Sequence, residues 1–321
     1  MKTALVTGGF GFVGSNLVHE LVRRGVRVTA YDNLDSKCGG NSHNLDGVAD
    51  QIELIDGDIR DSSRLIDAVR DNELVFHCAA RTSHPKSMTE PQEDVAVNCV
   101  GTLNVLEALR IANPDAKLIY VGTSTQIGRS TEPAVTESHG EFPLDIYSAN
   151  KSAAEKYVLI YGRSYGLRTS VVRLANNFGP RANVRSSDFG FINFFVGLAL
   201  RNQELTIFGE GKQLRTVSFV DDSVDALLTV ADNEDANGQV WFAVADSQIS
   251  VADIAREITA EIGGTVKFVP WPEDRAAIEI GDAVISNAKI TSALGWRPKT
   301  GIRDGLRRTR EYFASRLENY L

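Results

Sequence analysis

The chain is short of cysteine, of positive charge and of long apolar runs, and each shortage removes a class of protein. Its 321 residues include three cysteines, Cys38, Cys78 and Cys99, an odd set without paired spacing. Neither a disulfide framework nor a zinc knuckle is indicated, so the three read as reduced thiols. Lysine and arginine number 34 against 42 aspartates and glutamates, a net charge of −8. No basic stripe is expected that could neutralise phosphates, and nucleic acid is not expected as a partner. The longest apolar run, Phe191 to Leu200, falls short of a membrane span, and glycine enters too early for a signal peptide. A cytoplasmic protein with no membrane partner is the expectation. No internal repeat or low-complexity tract is visible.

What is present fits one large α/β unit plus a smaller lobe. Strand-like apolar runs at Thr3–Thr7, Arg27–Tyr31, Gln51–Ile55, Leu74–His77, Lys117–Val121 and Thr169–Arg173 alternate with helical stretches near Phe12–Arg24, Ser62–Arg70, Asp94–Ile111 and Tyr147–Tyr165. Continuous apolar strands separated by helices predict a doubly wound parallel sheet of Rossmann type. After Arg173 the rhythm breaks into loops, with helices expected near Val251–Ile262 and Ile302–Leu317; this part predicts the smaller C-terminal lobe.

The run Thr7-Gly8-Gly9-Phe10-Gly11-Phe12-Val13-Gly14 follows the first strand and opens a helix, the context in which a glycine loop reads as a dinucleotide site. Gly8 permits the tight turn, Gly11 lets backbone approach a pyrophosphate, and Gly14 allows close packing of helix on strand, while the free amides of Phe12, Val13 and Gly14 face the anion. The alternative is a turn whose glycines serve packing alone. Asp32, followed by Asn33, ends the second strand, where a carboxylate accepts hydrogen bonds from ribose hydroxyls and repels a 2′-phosphate; NAD is favoured over NADP. Asp32 capping the next turn is the competing reading. Asp58-Ile59 after the third strand suits the adenine edge, and the small residues Cys78-Ala79-Ala80 after the fourth let backbone approach the cofactor. Cys78 reads as a buried apolar residue and not as a nucleophile.

Tyr147 and Lys151 are four apart in a predicted helix and so share a face. An ammonium near a phenol favours the phenolate, which makes Tyr147 a candidate general base.

These pieces, with Asn98, Thr123 ahead of Gly128, Arg173 to Pro180, Arg215 before Val220-Asp221-Asp222, and Leu294-Gly295-Trp296-Arg297-Pro298, resemble the extended short-chain dehydrogenase/reductase family that acts on nucleotide sugars, nearly end to end. The resemblance implies an NAD-binding part over residues 1–174 with 217–246 and a nucleotide-sugar-binding part over 175–216 with 247–321. It implies a UDP-sugar substrate and a homodimer built on the helices near Asp94–Ile111 and Tyr147–Tyr165. It further implies that Tyr147 removes the proton from O4 of a hexose, that Lys151 holds the nicotinamide ribose, and that Thr123 hydrogen-bonds the same sugar oxygen. Asn98 is carried over as a cofactor residue; Thr82, Ser124, Thr125, Asn176, Arg215 and Arg275 are carried over as substrate residues, the two arginines clamping the diphosphate. His84 falls in a segment that borders the substrate cleft in the family, or it caps a turn.

Ser124 and Thr125 depart from the resembling 4,6-dehydratases, which carry an Asp-Glu pair there. Neutral hydroxyls are poor bases, so 4,6-dehydration in its usual form is not supported. Two reactions remain: elimination of water across C5–C6 of a transient 4-ketone with hydride returned to C4, as in a UDP-N-acetylglucosamine 5,6-dehydratase, or 4-epimerisation. A protein that binds NAD and nucleotide sugar without turnover is the third possibility.

Overall fold

Successive side chains of a strand point to opposite faces, and the first strand shows what that does here: Leu5 enters one apolar layer while Ala4 and Val6 enter another. The strands are therefore apolar on both sides and demand helices above and below. The structure, a computed structural model, describes residues 1–273 and 279–321. Its first six strands are β1 (Thr3–Thr7), β2 (Arg27–Asp32), β3 (Glu53–Asp56), β4 (Leu74–His77), β5 (Lys117–Thr123) and β6 (Arg168–Leu174). Three short strands follow, β7 (Asn176–Phe178), β8 (Glu204–Phe208) and β9 (Leu214–Phe219), before β10 (Val240–Ala243) returns to the main sheet.

That sheet has seven strands in the order β10-β6-β5-β4-β1-β2-β3, every neighbouring pair parallel. The doubly wound expectation is met. Winding starts at β1, proceeds outward through β2 and β3, then reverses to β4 on the other side of β1. Such a reversal opens a crevice at the carboxyl ends of the two inner strands. In register, Thr7 lies opposite both Tyr31 and His77, so the chain leaves the sheet into the glycine loop directly beside Cys78.

Two helices bear on that crevice. Phe12–Arg23 begins at Gly11 and buries Leu17, Val18 and Leu21 against the sheet. Ile146–Tyr165 is started by Asp145, whose carboxylate accepts the Ser148 N–H at 2.8 Å, and stopped by Gly166 at φ 72°. The helix near Asp94–Ile111 runs from Pro91 to Ala112 and corrects the sequence reading of apolar runs. With 22 residues and a mean hydropathy of 1.4 it is long and apolar enough to cross a membrane by length and composition. It carries Asp94, Asn98 and Thr102 into the interior and packs against the helices Ser62–Val69 and Ile146–Tyr165.

The region after Arg173 is more regular than loops. Helices span Phe191–Leu200 and Val220–Asp232, β7 and β9 join β11 (Gln248–Ser250) in a small sheet, and β8 pairs β12 (Thr265–Val269). Phe191–Leu200 is apolar on every side and so lacks the one-sided pattern that marks a surface helix. A third core forms around Phe195, Phe219 and Phe313 in this part.

Beneath the helix Ile146–Tyr165 lies a buried ion pair. Arg173, 1% exposed, donates from Nε and Nη2 to the two carboxylate oxygens of Glu155 at 2.8 and 2.7 Å and also reaches Glu141. Gln126 donates to the same Glu155 carboxylate at 2.9 Å. The network ties β6, the helix and the segment after β5 together. Removing Arg173 leaves the buried Glu155 carboxylate with only Gln126 and the half-exposed Lys156 as partners. Arg173→Ala is expected to lower stability by about 3–5 kcal/mol, read as the shift of the denaturant midpoint at unchanged slope.

Candidate active site

Gly8 shows how closely the crevice is built. Its φ of 71° is open to glycine, and a Cβ there would lie 2.6 Å from the backbone nitrogen of Ala79. At Gly14 a Cβ would fall 2.1 Å from the Gly8 carbonyl oxygen, so the loop and helix start fit only without side chains. Gly11 differs: protein comes no nearer to its absent Cβ than 3.2 Å, and its open side belongs to the crevice. Asp32 accepts the Phe10 N–H at 2.9 Å on one oxygen and the Leu34 N–H at 2.8 Å on the other, so it both shapes the glycine loop and faces the opening.

Gly8, Gly11, Asp32, Asn33, Asp58, Ile59, Cys78, Ala79 and Ala80 line one cleft. Nine predicted cofactor residues from four strand ends thus meet in one place. Glycines at a helix start, small residues opposite and a carboxylate at the end of β2 fit a dinucleotide. Asn33 donates to Asp58 at 2.9 Å, and Arg60, which the sequence reading missed, grips Asp58 through Nε and Nη2 at 2.9 and 2.7 Å. That grip holds the Asp58 carboxyl down to about 2. Burial pushes the Cys78 thiol up to about 12, in keeping with an inert residue. Asn98 sits behind the loop: it receives the Arg81 N–H at 3.1 Å and donates to the Arg81 carbonyl at 3.0 Å, fixing the backbone that follows Ala80. A larger, more open depression beside the helix Phe12–Arg23 holds none of the predicted site residues.

Tyr147 and Lys151 lie on the buried side of their helix, 7% and 4% exposed. Lys151 Nζ donates to the Val121 carbonyl at 2.8 Å and stands 4.1 Å over the Tyr120 ring. Burial lowers the ammonium to about 7, with Cys78 and Glu155 opposing. Burial also pushes the Tyr147 phenol well above its ordinary value; the Thr123 hydrogen bond pulls it down, and the charges of Asp145 and Asp94 push further up. Thr123, at the end of β5, therefore lies beside the Tyr147 hydroxyl.

Ser124 and Thr125 continue from Thr123. The Thr125 hydroxyl is 3.1 Å from that of Thr123 and 2.9 Å from that of Ser148. Ser148 also donates to Asp145 at 3.1 Å, and Asp145 accepts from His84 Nδ1 at 2.8 Å. The His84 ring meets the Tyr147 ring edge-on, centroids 4.9 Å apart at 79°. Sequence reading named His84 but neither Asp145 nor Ser148; 61 residues separate His84 from its carboxylate, a distance only the fold closes. Thr82 is exposed on the loop before His84. Asn176 opens β7 and donates to the Thr216 carbonyl at 3.3 Å. Arg215, on β9, gives its guanidinium to Glu279 at 2.7 Å and to the carbonyls of Leu214 and Gly281 at 2.8 and 2.5 Å. Arg275 lies outside the described residues.

A sequence model of the NAD dependent epimerase/dehydratase family matches residues 4–243. The chain belongs to that family. Among its relatives, a UDP-glucose 4-epimerase of Mycolicibacterium smegmatis is 32% identical over 98% of this chain and 99% of its own. A dTDP-glucose 4,6-dehydratase of the same organism is 31% identical over 96% and 92%. The solved UDP-N-acetylglucosamine 4-epimerase of Methanobrevibacter ruminantium M1, in complex with UDP-N-acetylmuramic acid, superposes with a TM-score of 0.90 at 27% identity, over 98% of this chain and 99% of that one. NAD is the family's cofactor, and the cleft built by Gly8, Gly11 and Asp32 accommodates it.

The lowered Lys151 ammonium has a consequence for the NAD-free protein. Below about 7 both folded and unfolded chains carry the proton and the full cost of burying charge is felt; above the ordinary 10.5 neither does, and the cost vanishes. Lys151→Met is therefore expected to be more stable than the native chain near neutral pH, by a margin that shrinks as pH rises from about 7 towards 10.5. Denaturant unfolding of both proteins across that range checks the sign.

Proposed function

We propose that this enzyme transiently oxidises C4 of a UDP-hexose and eliminates water across C5–C6, as a UDP-N-acetylglucosamine 5,6-dehydratase of the kind used in tunicamycin-type antibiotic biosynthesis. The observation that carries the reading is the contact of Tyr147 with Thr123, with neutral Ser124 and Thr125 next in line where resembling 4,6-dehydratases have two carboxyls. Bound NAD supplies the acceptor for a hydride from C4 and gives it back.

The residues supply the proton chemistry. Thr123 hydrogen-bonds O4 and orients it towards Tyr147. Tyr147 takes the O4 proton as the ketone forms and returns it when the alcohol is restored. Burial holds its phenol up, so the phenolate is reached only beside positive charge, and Lys151 carries the cation on the same helix face. The C4 ketone acidifies the C5 proton, and loss of the C6 hydroxyl then leaves a 5,6-alkene. Returning hydride to C4 leaves no need for the acid–base pair that 4,6-dehydratases place at Ser124 and Thr125. In this reading residues 1–174 with 217–246 hold NAD, and 175–216 with 247–321 hold the UDP-sugar through Asn176, Arg215 and Arg275. The complex of the methanogen epimerase with UDP-N-acetylmuramic acid supports a uridine nucleotide with an acetamido sugar.

A 4-epimerase is the second reading, favoured by full-length similarity to a UDP-glucose 4-epimerase and needing only Tyr147, Thr123 and Lys151. Incubation with UDP-N-acetylglucosamine separates the two. Loss of water in the mass spectrum marks the dehydratase; unchanged mass with inverted C4 marks the epimerase; an intact sugar marks a protein that only binds. Tyr147→Phe is expected to retain NAD while turnover falls by about 10²–10⁴-fold.

We also infer a homodimer working in the cytoplasm, where three free thiols stay reduced. Val95, Val100 and Ile111 on one helix and Ile160 and Tyr165 on another are 41–58% exposed, an apolar surface on the two helices expected to meet a second copy. Val100→Asp combined with Ile160→Asp is expected to shift the protein from dimer to monomer in sedimentation.

A further inference from the structure

The dehydratase reading leaves one role without a residue: a group that takes the proton from C5 and a proton source for the departing C6 oxygen. We propose that His84 does both, oriented by Asp145, so that imidazole replaces the missing carboxyl pair. The inference rests on that reading and deepens it.

Geometry carries the assignment. C5 is bonded to C4, whose oxygen is held by Tyr147, so a group acting at C5 must stand within one sugar ring of that hydroxyl. The His84 ring is in edge contact with the Tyr147 ring, centroids 4.9 Å apart. Its Nδ1 is 2.8 Å from Asp145. A carboxylate only accepts, so Nδ1 carries hydrogen, and in the neutral ring Nε2 is the nitrogen that presents the lone pair. Among the described residues Nε2 has no hydrogen-bond partner. Burial pushes the Asp145 carboxyl up, but the hydrogen bond and charge of His84, with the Ser148 N–H and hydroxyl, leave it below its ordinary value. Asp145 is thus ionised and fixed at the start of the helix that bears Tyr147. The His84 side chain is 38% exposed, and the residue heads the short helix His84–Thr89 whose first turn Ser83 caps.

The step balances without a co-reactant. Nε2 takes the C5 proton as the C5–H electron pair becomes the C5–C6 double bond and the C6–O bond breaks. The imidazolium then gives its proton to the departing oxygen, which leaves as water, and His84 ends neutral. One group serving in turn as base and acid implies that proton and hydroxyl leave from the same face of the sugar.

The test uses the NAD-loaded enzyme and UDP-N-acetylglucosamine. His84→Asn keeps a donor for Asp145 and cannot take the proton. It is expected to lower water release by at least about 100-fold, while the ultraviolet absorbance of reduced nicotinamide still appears on adding sugar, because oxidation at C4 belongs to Tyr147. Asp145→Asn, a change in the positioning residue, is expected to lower water release less and to move the pH profile of elimination, with bound NAD retained. Water release by His84→Asn at the native rate overturns the inference, as does loss of C4 oxidation and elimination together. A native enzyme that inverts C4 without releasing water overturns the dehydratase reading itself, and is seen before any variant is made.

Discussion

Lys151 reaches from its helix to the carbonyl of Val121 at 2.8 Å, and the rest of the site depends on that contact. Val121 is two residues before Thr123 on β5. The hydrogen bond therefore fixes the separation between the strand that ends in Thr123 and the helix face that carries Tyr147. A buried ammonium is costly unless its donors are used, and here one donor meets a carbonyl and the charge lies over the Tyr120 ring. One buried side chain thus ties the strand that carries Thr123 to the helix that carries Tyr147.

Below this contact the Arg173–Glu155 pair clamps the same helix to β6, and above it Asp145 caps the first turn. Three polar anchors on one helix, each buried or half-buried, make it rigid relative to the sheet. Rigid elements are where catalytic geometry is best kept. The smaller part is held differently. Arg215 is occupied by Glu279 and two carbonyls, and Asn176 leans on Thr216, so these groups are pinned to a small sheet that does not share hydrogen bonds with the central one.

Much of this was legible in the sequence, and the reasons are particular. Six central strands could be read because most are apolar runs bounded by glycine or charge, and the glycine loop because its spacing meets a strand on one side and a helix on the other. The Tyr147–Lys151 pair was legible because four residues is one helical turn. Val240–Ala243 was missed, being four residues long and detached from its sheet partners by the excursion through the smaller part. Phe191–Leu200 read as an apolar run because it is buried on several sides. The His84–Asp145 contact has no local signature at all, since it joins the start of a short helix after β4 to a helix cap after β5.

That contact gives position 145 two employers. Serine, threonine and asparagine all start helices nearly as well as aspartate, so stability alone leaves the choice open. A neutral cap, however, carries no fixed negative charge to lock the imidazole tautomer. Only one of the four good caps satisfies both neighbours. Drift at this site is confined from two sides, and neither constraint can be relaxed while the other stands.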